Sequence, residues 1–346
     1  MKKTVLALAA IAASSAAFAQ SSVTLFGVVD ASVESVKGNK TVTRVSSDNL
    51  SSSRIGFKGT EDLGGGLKAN FFLDSSLKTD TGATGDSARF FGRSAWVGLA
   101  GGFGEARIGR QDSLIGAQTA AVLGTQAYDE AVVAQTLGGV GYRRLDNALT
   151  YMAPTLVPGL NLAAQFTTKA SGTETSGDES GRGYGLSANY ANGPLAAGIS
   201  YIHVNTDVRG DIENTGVLVY GSYDLGVAKL TAYYNEDSTD RAFDDRQVFG
   251  IKAAVPVAQG VTLSAGYASV KNANASSTSF NAKDTKDDGA DIFTVKAQYD
   301  LSKRTALYAL FTQVNNDDNA NLSVSGVATS AGKSSRGLAV GVRHNF

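Results

Sequence analysis

From Val23 to Phe346 the chain alternates apolar and polar residues in short runs separated by turn residues. Strand side chains point to opposite faces with period two, so each run predicts a strand with one apolar face. In 23–33 one face carries Leu25, Gly27, Val29 and Ala31, and the other carries Thr24, Phe26, Val28 and Asp30. In 53–59, Arg54, Gly56 and Lys58 alternate with Ile55 and Phe57. In 67–74, Leu67, Ala69, Phe71 and Leu73 oppose Lys68, Asn70, Phe72 and Asp74. The same pattern predicts strands at 88–100, 104–111, 143–153, 159–169, 183–192, 195–206, 215–225, 227–237, 246–256, 260–272, 290–300, 304–316 and 335–346, sixteen in all.

The connections fall into two alternating classes. Short ones include 62–65, 101–104, 192–194, 225–226, 257–259 and 301–303. Long polar ones include 37–50, 79–87, 112–142, 170–182, 207–214, 238–245, 273–289 and 317–334. Short turns on one rim and long loops on the other are the pattern of an outer-membrane barrel, and an even strand number puts both termini on the short-turn rim. A sandwich core, dry on both inner faces, does not fit the polar strand faces. Lipid tolerates no unpaired backbone groups, so the sheet is expected to close on itself. The fold class is therefore all-β, a 16-stranded antiparallel transmembrane β-barrel.

Composition sharpens this reading. Residues 1–19 have the form of a secretory signal peptide, with Lys2 and Lys3, an apolar stretch from Val5 to Ala13, and Ala17-Phe18-Ala19 before Gln20. Cleavage after Ala19 would leave 327 residues with 29 basic and 32 acidic side chains, a formal net charge of −3. No global basic field points to nucleic acid. Without cysteine, an exported chain is held by its hydrogen-bond ladder and packing. No uninterrupted apolar run of about eighteen residues predicts a membrane helix. With 40 Gly against 4 Pro and no linker, residues 20–346 read as one barrel. Tyr190, Tyr201, Tyr223, Tyr267 and Tyr299 are either interfacial girdle residues or ordinary strand aromatics.

The segments SSVTLFGVVDA (21–31), SSSRIGFKGTEDLGGGLKANF (51–71), FGEARIGRQ (103–111), LSKRTALYALF (301–311) and GVRHNF (341–346) carry a closer likeness. On them the chain resembles the general, trimeric, 16-stranded porins of Gram-negative bacteria, most of all the beta-proteobacterial type. The resemblance implies a bacterial outer-membrane location, reached through the periplasm, and a water-filled channel for passive diffusion of ions and small hydrophilic solutes. It also implies a homotrimer, contact with outer-membrane lipid and lipopolysaccharide, and recognition of the Phe346-ended strand by the barrel-insertion machinery. A lipid-facing aromatic would end the same way.

The loop at 112–141 is far longer than an ordinary connection and rich in Ala, Gly, Leu and Val, with few charges. The resemblance implies that it folds into the bore as a constriction, presenting Asp129 and Glu130 to the lumen. It further implies an arginine wall opposite, matched best by Arg54, Arg93 and Arg144. Parity puts Arg54 inward with Lys58. Arg93 is inward if Trp96, three residues on, faces lipid. Arg144 is inward if Leu149 and Tyr151 face lipid, although a one-residue slip would substitute Arg143. Lys58, Lys68, Arg107 and Asp30 are expected to line the pore.

Rings of charge set ion selectivity, and three arginines against two loop acids give an expectation of weak anion preference. The net negative chain argues the other way. The two histidines, His203 and His344, belong to no triad or metal-ligand spacing, so no catalytic residue, metal or cofactor is expected. A barrel acting as adhesin or receptor through its polar loops at 273–289 and 317–334 is the alternative, and a barrel hydrolase a more remote one.

Overall fold

The computed structural model describes residues 22–129, 142–240, 245–273 and 287–346. The strands, in chain order, are β1 Ser22–Lys37, β2 Thr41–Ser47, β3 Arg54–Gly64, β4 Leu67–Ser76, β5 Ser94–Gly101 and β6 Gly104–Asp112. Then follow β7 Arg144–Met152, β8 Leu160–Thr167, β9 Gly183–Asn192, β10 Leu195–Asn205, β11 Glu213–Asp224 and β12 Lys229–Thr239. The last are β13 Arg246–Ala258, β14 Val261–Lys271, β15 Ala290–Asp300, β16 Thr305–Asn316 and β17 Ser335–Asn345. Among the described residues one α-helix, α1, spans Leu114–Val122. The predicted signal peptide at 1–19 lies outside the described residues.

Neighbouring strands pair antiparallel all the way round, and β1 pairs β17 from Val28↔Asn345 to Lys37↔Arg336. The seventeen segments make sixteen rungs, because β2 and β3 share one. β2 pairs the outer half of β1 (Ala31–Lys37), and β3 pairs its inner half (Ser22–Val28). The break at 48–53 was not expected from alternation. The Asp30 carboxylate holds it, accepting from the amides of Asn49 at 3.2 Å and Ser51 at 3.1 Å. Ring closure joins the first strand to the last, the condition for a sheet in hydrocarbon. Phe346 seals the seam through two backbone bonds with Gly27, at 3.0 and 3.1 Å. A Cβ on Gly27 would overlap the Phe346 ring, so glycine is what lets the ring lie there.

Alternation orders the two faces as expected. Val23, Leu25, Val33, Ile55, Phe57, Val97, Leu99, Leu338 and Val340 lie exposed on the outside. Burying such a side chain fully is worth roughly 1.5–3 kcal/mol, so this surface demands an apolar solvent. The bore, by contrast, is not uniformly aqueous. Val204, Leu218, Val248, Val270, Ile292, Leu310 and Val314 point inward yet are buried, packed with Ile115, Leu123, Tyr128 and Val324. Chain from α1 and from the last long loop therefore fills one side of the interior with a dry core.

Two local expectations need correcting. The strand predicted at 88–100 starts only at Ser94, because the Asp86 carboxylate takes the amides of Ala88 (2.9 Å) and Arg89 (3.1 Å) and turns the chain. Trp96 faces the bore, not lipid. It stacks on Phe72, with centroids 5.9 Å apart and planes 11° apart, while Val97 and Leu99 point out. Strand parity with Trp96 therefore does not bring Arg93 into the bore.

Candidate pore constriction

After β6 the chain turns into the bore rather than out to solvent. Ser113 caps α1 by accepting from the Gly116 amide at 2.9 Å. The helix buries Ile115, Gln118, Thr119 and Val122, the i, i+3, i+4, i+7 stripe that seats one face on a wall. That wall is β8 to β11, where Gln165 accepts from the Leu114 amide at 3.2 Å and Ser200 bonds Gln118. A Cβ at Gly116 would sit 2.5 Å from the Arg143 carbonyl, so glycine lets the helix come this close to the returning arm, which Ser113 also bonds at the Arg143 and Tyr142 carbonyls.

Beyond the helix, the loop crosses to the opposite wall. Lys252 on β13 donates to the Val122 carbonyl, and Lys296 on β15 pairs with Asp129. Tyr128 donates to Glu34 on β1 at 2.9 Å, and Thr312 on β16 donates to the Tyr128 carbonyl at 2.9 Å. Burial, and then the Glu34 carboxylate, push the Tyr128 phenol above its ordinary pKa and keep it a donor. The segment 113–129 is thus tied to both sides of the barrel across its bore.

On the near wall the arginines gather. Arg54 lies inward at the start of β3, within electrostatic reach of Arg93, Asp74 and Asp112. Arg93 precedes β5 and reaches the bore by pairing with Asp74 at 2.8 Å. Arg144 forms an ion pair with Asp112 at 3.1 Å. Arg143 and Arg144 both line the same cavity of about 790 Å³, together with Arg93, Arg44 and Lys78. Only Asp48 and Asp80 among its lining residues are acidic. The choice between Arg143 and Arg144 dissolves because regular alternation stops there: Asn147 has φ 50°, and the β6–β7 register shifts between Gly109 and Gln111.

The remaining predicted residues fall differently. Asp129 does not offer a free carboxylate to the lumen. It is 7% exposed, accepts from the Gln126 amide at 2.8 Å, and pairs with Lys296. Glu130 lies outside the described residues. Asp30 points inward but is fully covered by the 48–53 break and Tyr308. Lys58 and Arg107 face the bore over aromatic rings, 5.6 Å from the Phe26 centroid and 4.2 Å from the Trp96 centroid. Lys68 is exposed near the short-turn end of β4. Sequence reasoning missed Glu34, Lys252 and Lys296 as loop anchors. Each is a charged residue at an inward position, a signal visible in alternation but silent about what covers it.

Among the described residues no cluster of His, Cys, Asp and Glu is arranged to hold a metal ion. His203 contacts the Asn205 side chain at 3.2 Å, and His344 contacts the Thr305 hydroxyl at 2.9 Å.

A closed sheet with an apolar exterior, a polar bore and a loop drawn across that bore defines a transmembrane diffusion channel. Residues 5–319 match the Gram-negative porin family model, and the chain belongs to that family. It is 34% identical to outer membrane porin protein 32 of Delftia acidovorans, over the full length of both chains. It is 26% identical to the major outer membrane protein P.IB of Neisseria meningitidis serogroup B, again end to end. Among solved structures, an anion-selective porin from Comamonas acidovorans superposes with a TM-score of 0.77 at 28% identity, covering 94% of this chain and 100% of that one. The protein is an outer-membrane porin.

Proposed function

We propose that this porin passes ions and small hydrophilic solutes by passive diffusion, with a weak preference for anions. Arg54, Arg93 and Arg144, joined by Arg143, form the selective wall, and Thr125, Gln126 and Ala127 of the inward loop border the same cavity as Arg93, Arg143 and Arg144. The observation that carries this reading is the cavity whose lining holds Arg93, Arg143 and Arg144 with Arg44 and Lys78 against only Asp48 and Asp80, while Arg54 lies within electrostatic reach of Arg93 but outside that lining. Opposing acids are weaker than the sequence suggested, since Asp129 is spent on Lys296. A basic constriction between low-dielectric walls raises the local concentration of anions and lowers that of cations. Guanidinium groups stay charged throughout the working pH range, so the wall does not switch off. The anion selectivity of the Comamonas acidovorans relative supports the same sign. No bond is made or broken, and no catalytic residue is assigned.

The wider reading is a homotrimer in contact with lipopolysaccharide, exported by residues 1–19 and inserted through recognition of the Phe346-ended strand. Its support is the apolar outer face of β1, β3 and β17 and the terminal ring packed at the seam. Reconstitution into a planar bilayer under a salt gradient tests the main claim. Discrete ohmic steps with an anion-directed reversal potential are expected. A folded barrel that never conducts would overturn the channel reading, and a cation-directed potential would overturn the selectivity.

A further inference from the structure

Glu34 sits at an inward position of β1 with its side chain entirely shielded from solvent. An unpaired carboxylate in such a place would be costly. Its two oxygens instead collect five donors from four separate segments. Oε1 accepts from Arg44 Nε at 2.6 Å, Ser46 Oγ at 2.5 Å and Ser325 Oγ at 3.0 Å. Oε2 accepts from the Tyr128 hydroxyl at 2.9 Å and Asn49 Nδ2 at 3.1 Å. Arg44 itself reaches on to Ser325, donating to its carbonyl at 2.7 Å and its hydroxyl at 2.8 Å.

Those donors come from β2, from the break that follows it, from the far arm of the constriction loop and from the last long loop. Tyr128 is itself fully buried, and a Cβ on Gly337 of β17 would lie 2.7 Å from its hydroxyl oxygen. The ring is therefore a plug seated over a glycine, with the carboxylate at its tip. The near arm of the loop has other holds, at Gln165 and Ser200. The far arm at Tyr128 hangs on Glu34, on Thr312 and on the Lys296–Asp129 pair.

We propose that Glu34 is a positioning residue for the pore: through Tyr128 it fixes the far arm of the constriction loop, and with Ser325 it couples that arm to the last long loop. The bore stays open at one width because both loops share a single carboxylate. Replacing Tyr128 by Phe removes the arm's link to Glu34 while leaving the other four donors of Glu34, Thr312 and the Lys296–Asp129 pair in place. Replacing Glu34 frees both loops together. This rests on the channel reading above, and the unmodified protein is the control that separates the two.

The test is single-channel recording of full-length refolded protein carrying Tyr128→Phe, Ser325→Ala, Glu34→Gln or, as control, Tyr267→Phe. The control removes a hydrogen bond to Asp291 of similar length, 2.7 Å, at an exposed position away from both loops. Tyr128→Phe is expected to raise open-channel current variance severalfold and to lower the voltage at which the channel closes. Glu34→Gln is expected to do at least as much, Ser325→Ala less, and the control nothing. Urea unfolding midpoints, taken in parallel, expose a merely structural role. If Tyr128→Phe lowers the midpoint but leaves current variance and closing voltage unchanged, the positioning role is overturned. It is also overturned if the control variant gates as readily as Tyr128→Phe. Failure of Glu34→Gln to fold leaves Tyr128→Phe as the deciding variant. An unmodified protein that does not conduct would sink the channel reading instead.

Discussion

Tyr308 on β16 donates its hydroxyl to the Asp30 carboxylate on β1 at 2.7 Å, passing over the intervening strand β17 at Gly341. The bond spans the seam where the last strand meets the first, and a side chain at Gly341 would block it. It also fixes the carboxylate that caps the 48–53 break, from which Ser52 accepts a hydrogen bond from Gln126 at 3.0 Å. Barrel closure and constriction geometry thus share one residue.

Tyr308→Phe removes the side-chain donor to that covered carboxylate and leaves it to the backbone amides of residues 49–51. Leaving a buried polar group short of a partner costs about 1–3 kcal/mol. The urea unfolding midpoint of the refolded barrel, followed by fluorescence, should fall accordingly. No change would mean that the backbone amides of Asn49, Leu50 and Ser51 hold Asp30 without Tyr308.

Gly27→Val should impair closure. The added Cβ would overlap the Phe346 ring and approach the Arg54 carbonyl to 2.7 Å, and overpacking of this kind costs typically 1–3 kcal/mol. The yield of folded, heat-resistant barrel on an unheated gel is the measurement. Truncating Phe346 to Ala in the same background should recover part of the loss, because it removes the overlapping ring.

Lys296→Gln should destabilise more than either change above. It strands Asp129, which is nearly fully covered, and breaking one side of a buried pair costs about 3–5 kcal/mol. Asp129→Asn combined with Lys296→Gln should restore much of that stability, a coupling that a double-mutant cycle of unfolding free energies reads directly. Additive losses would show that the two side chains act independently.

The barrel itself was legible because period-two alternation is a local signal repeated sixteen times, each copy reinforcing the others. Alternation also fixed the inward side of Arg54, Lys58 and Arg107. It lost its hold wherever the backbone left the ladder. The 48–53 break depends on Asp30, a residue some twenty positions upstream. The turn at Asp86 delayed β5 and removed the parity basis for Arg93, while the left-handed Asn147 let both Arg143 and Arg144 reach one cavity. Charge alone could not tell a lumenal carboxylate from a covered one. Asp129 looked free because Lys296 is distant in sequence, and the dry half of the bore was hidden because its cover comes from other loops.

In the long loop at 170–182, the Lys169 ammonium, followed by the Ser180 hydroxyl and amide, pulls the Asp178 carboxyl down to about 2. An unfolded Asp titrates near about 3.9, so the folded value is depressed and the contribution is present above that pH. It is lost as pH falls through about 2. Hydrogen exchange of the 170–182 amides, corrected for intrinsic rates, should keep its protection down to about pH 3 and lose it near pH 2. Lys169→Met should move the loss upward, toward the unfolded value. Loss of protection near pH 4 in the unmodified protein would show that the pair does not form.

The sharpest test of the arginine wall is the acid embedded in it. Asp74 pairs with Arg93 at 2.8 Å and lies within electrostatic reach of Arg54 and Arg144. Asp74→Asn keeps the size of the side chain but lifts one negative charge from the wall. A unit charge acts on an ion at 4 Å with about 1 kcal/mol in water, roughly a fivefold bias, and with more where the walls exclude water. The anion-to-cation permeability ratio should therefore rise, most in dilute salt and little near 1 M, where the screening length shrinks from about 10 Å to about 3 Å. Arg54→Gln should move the ratio the opposite way with the same salt dependence. Reversal potentials of both variants in matched gradients decide the matter: if they shift in the same direction, or if neither moves, permeating ions do not sense this wall.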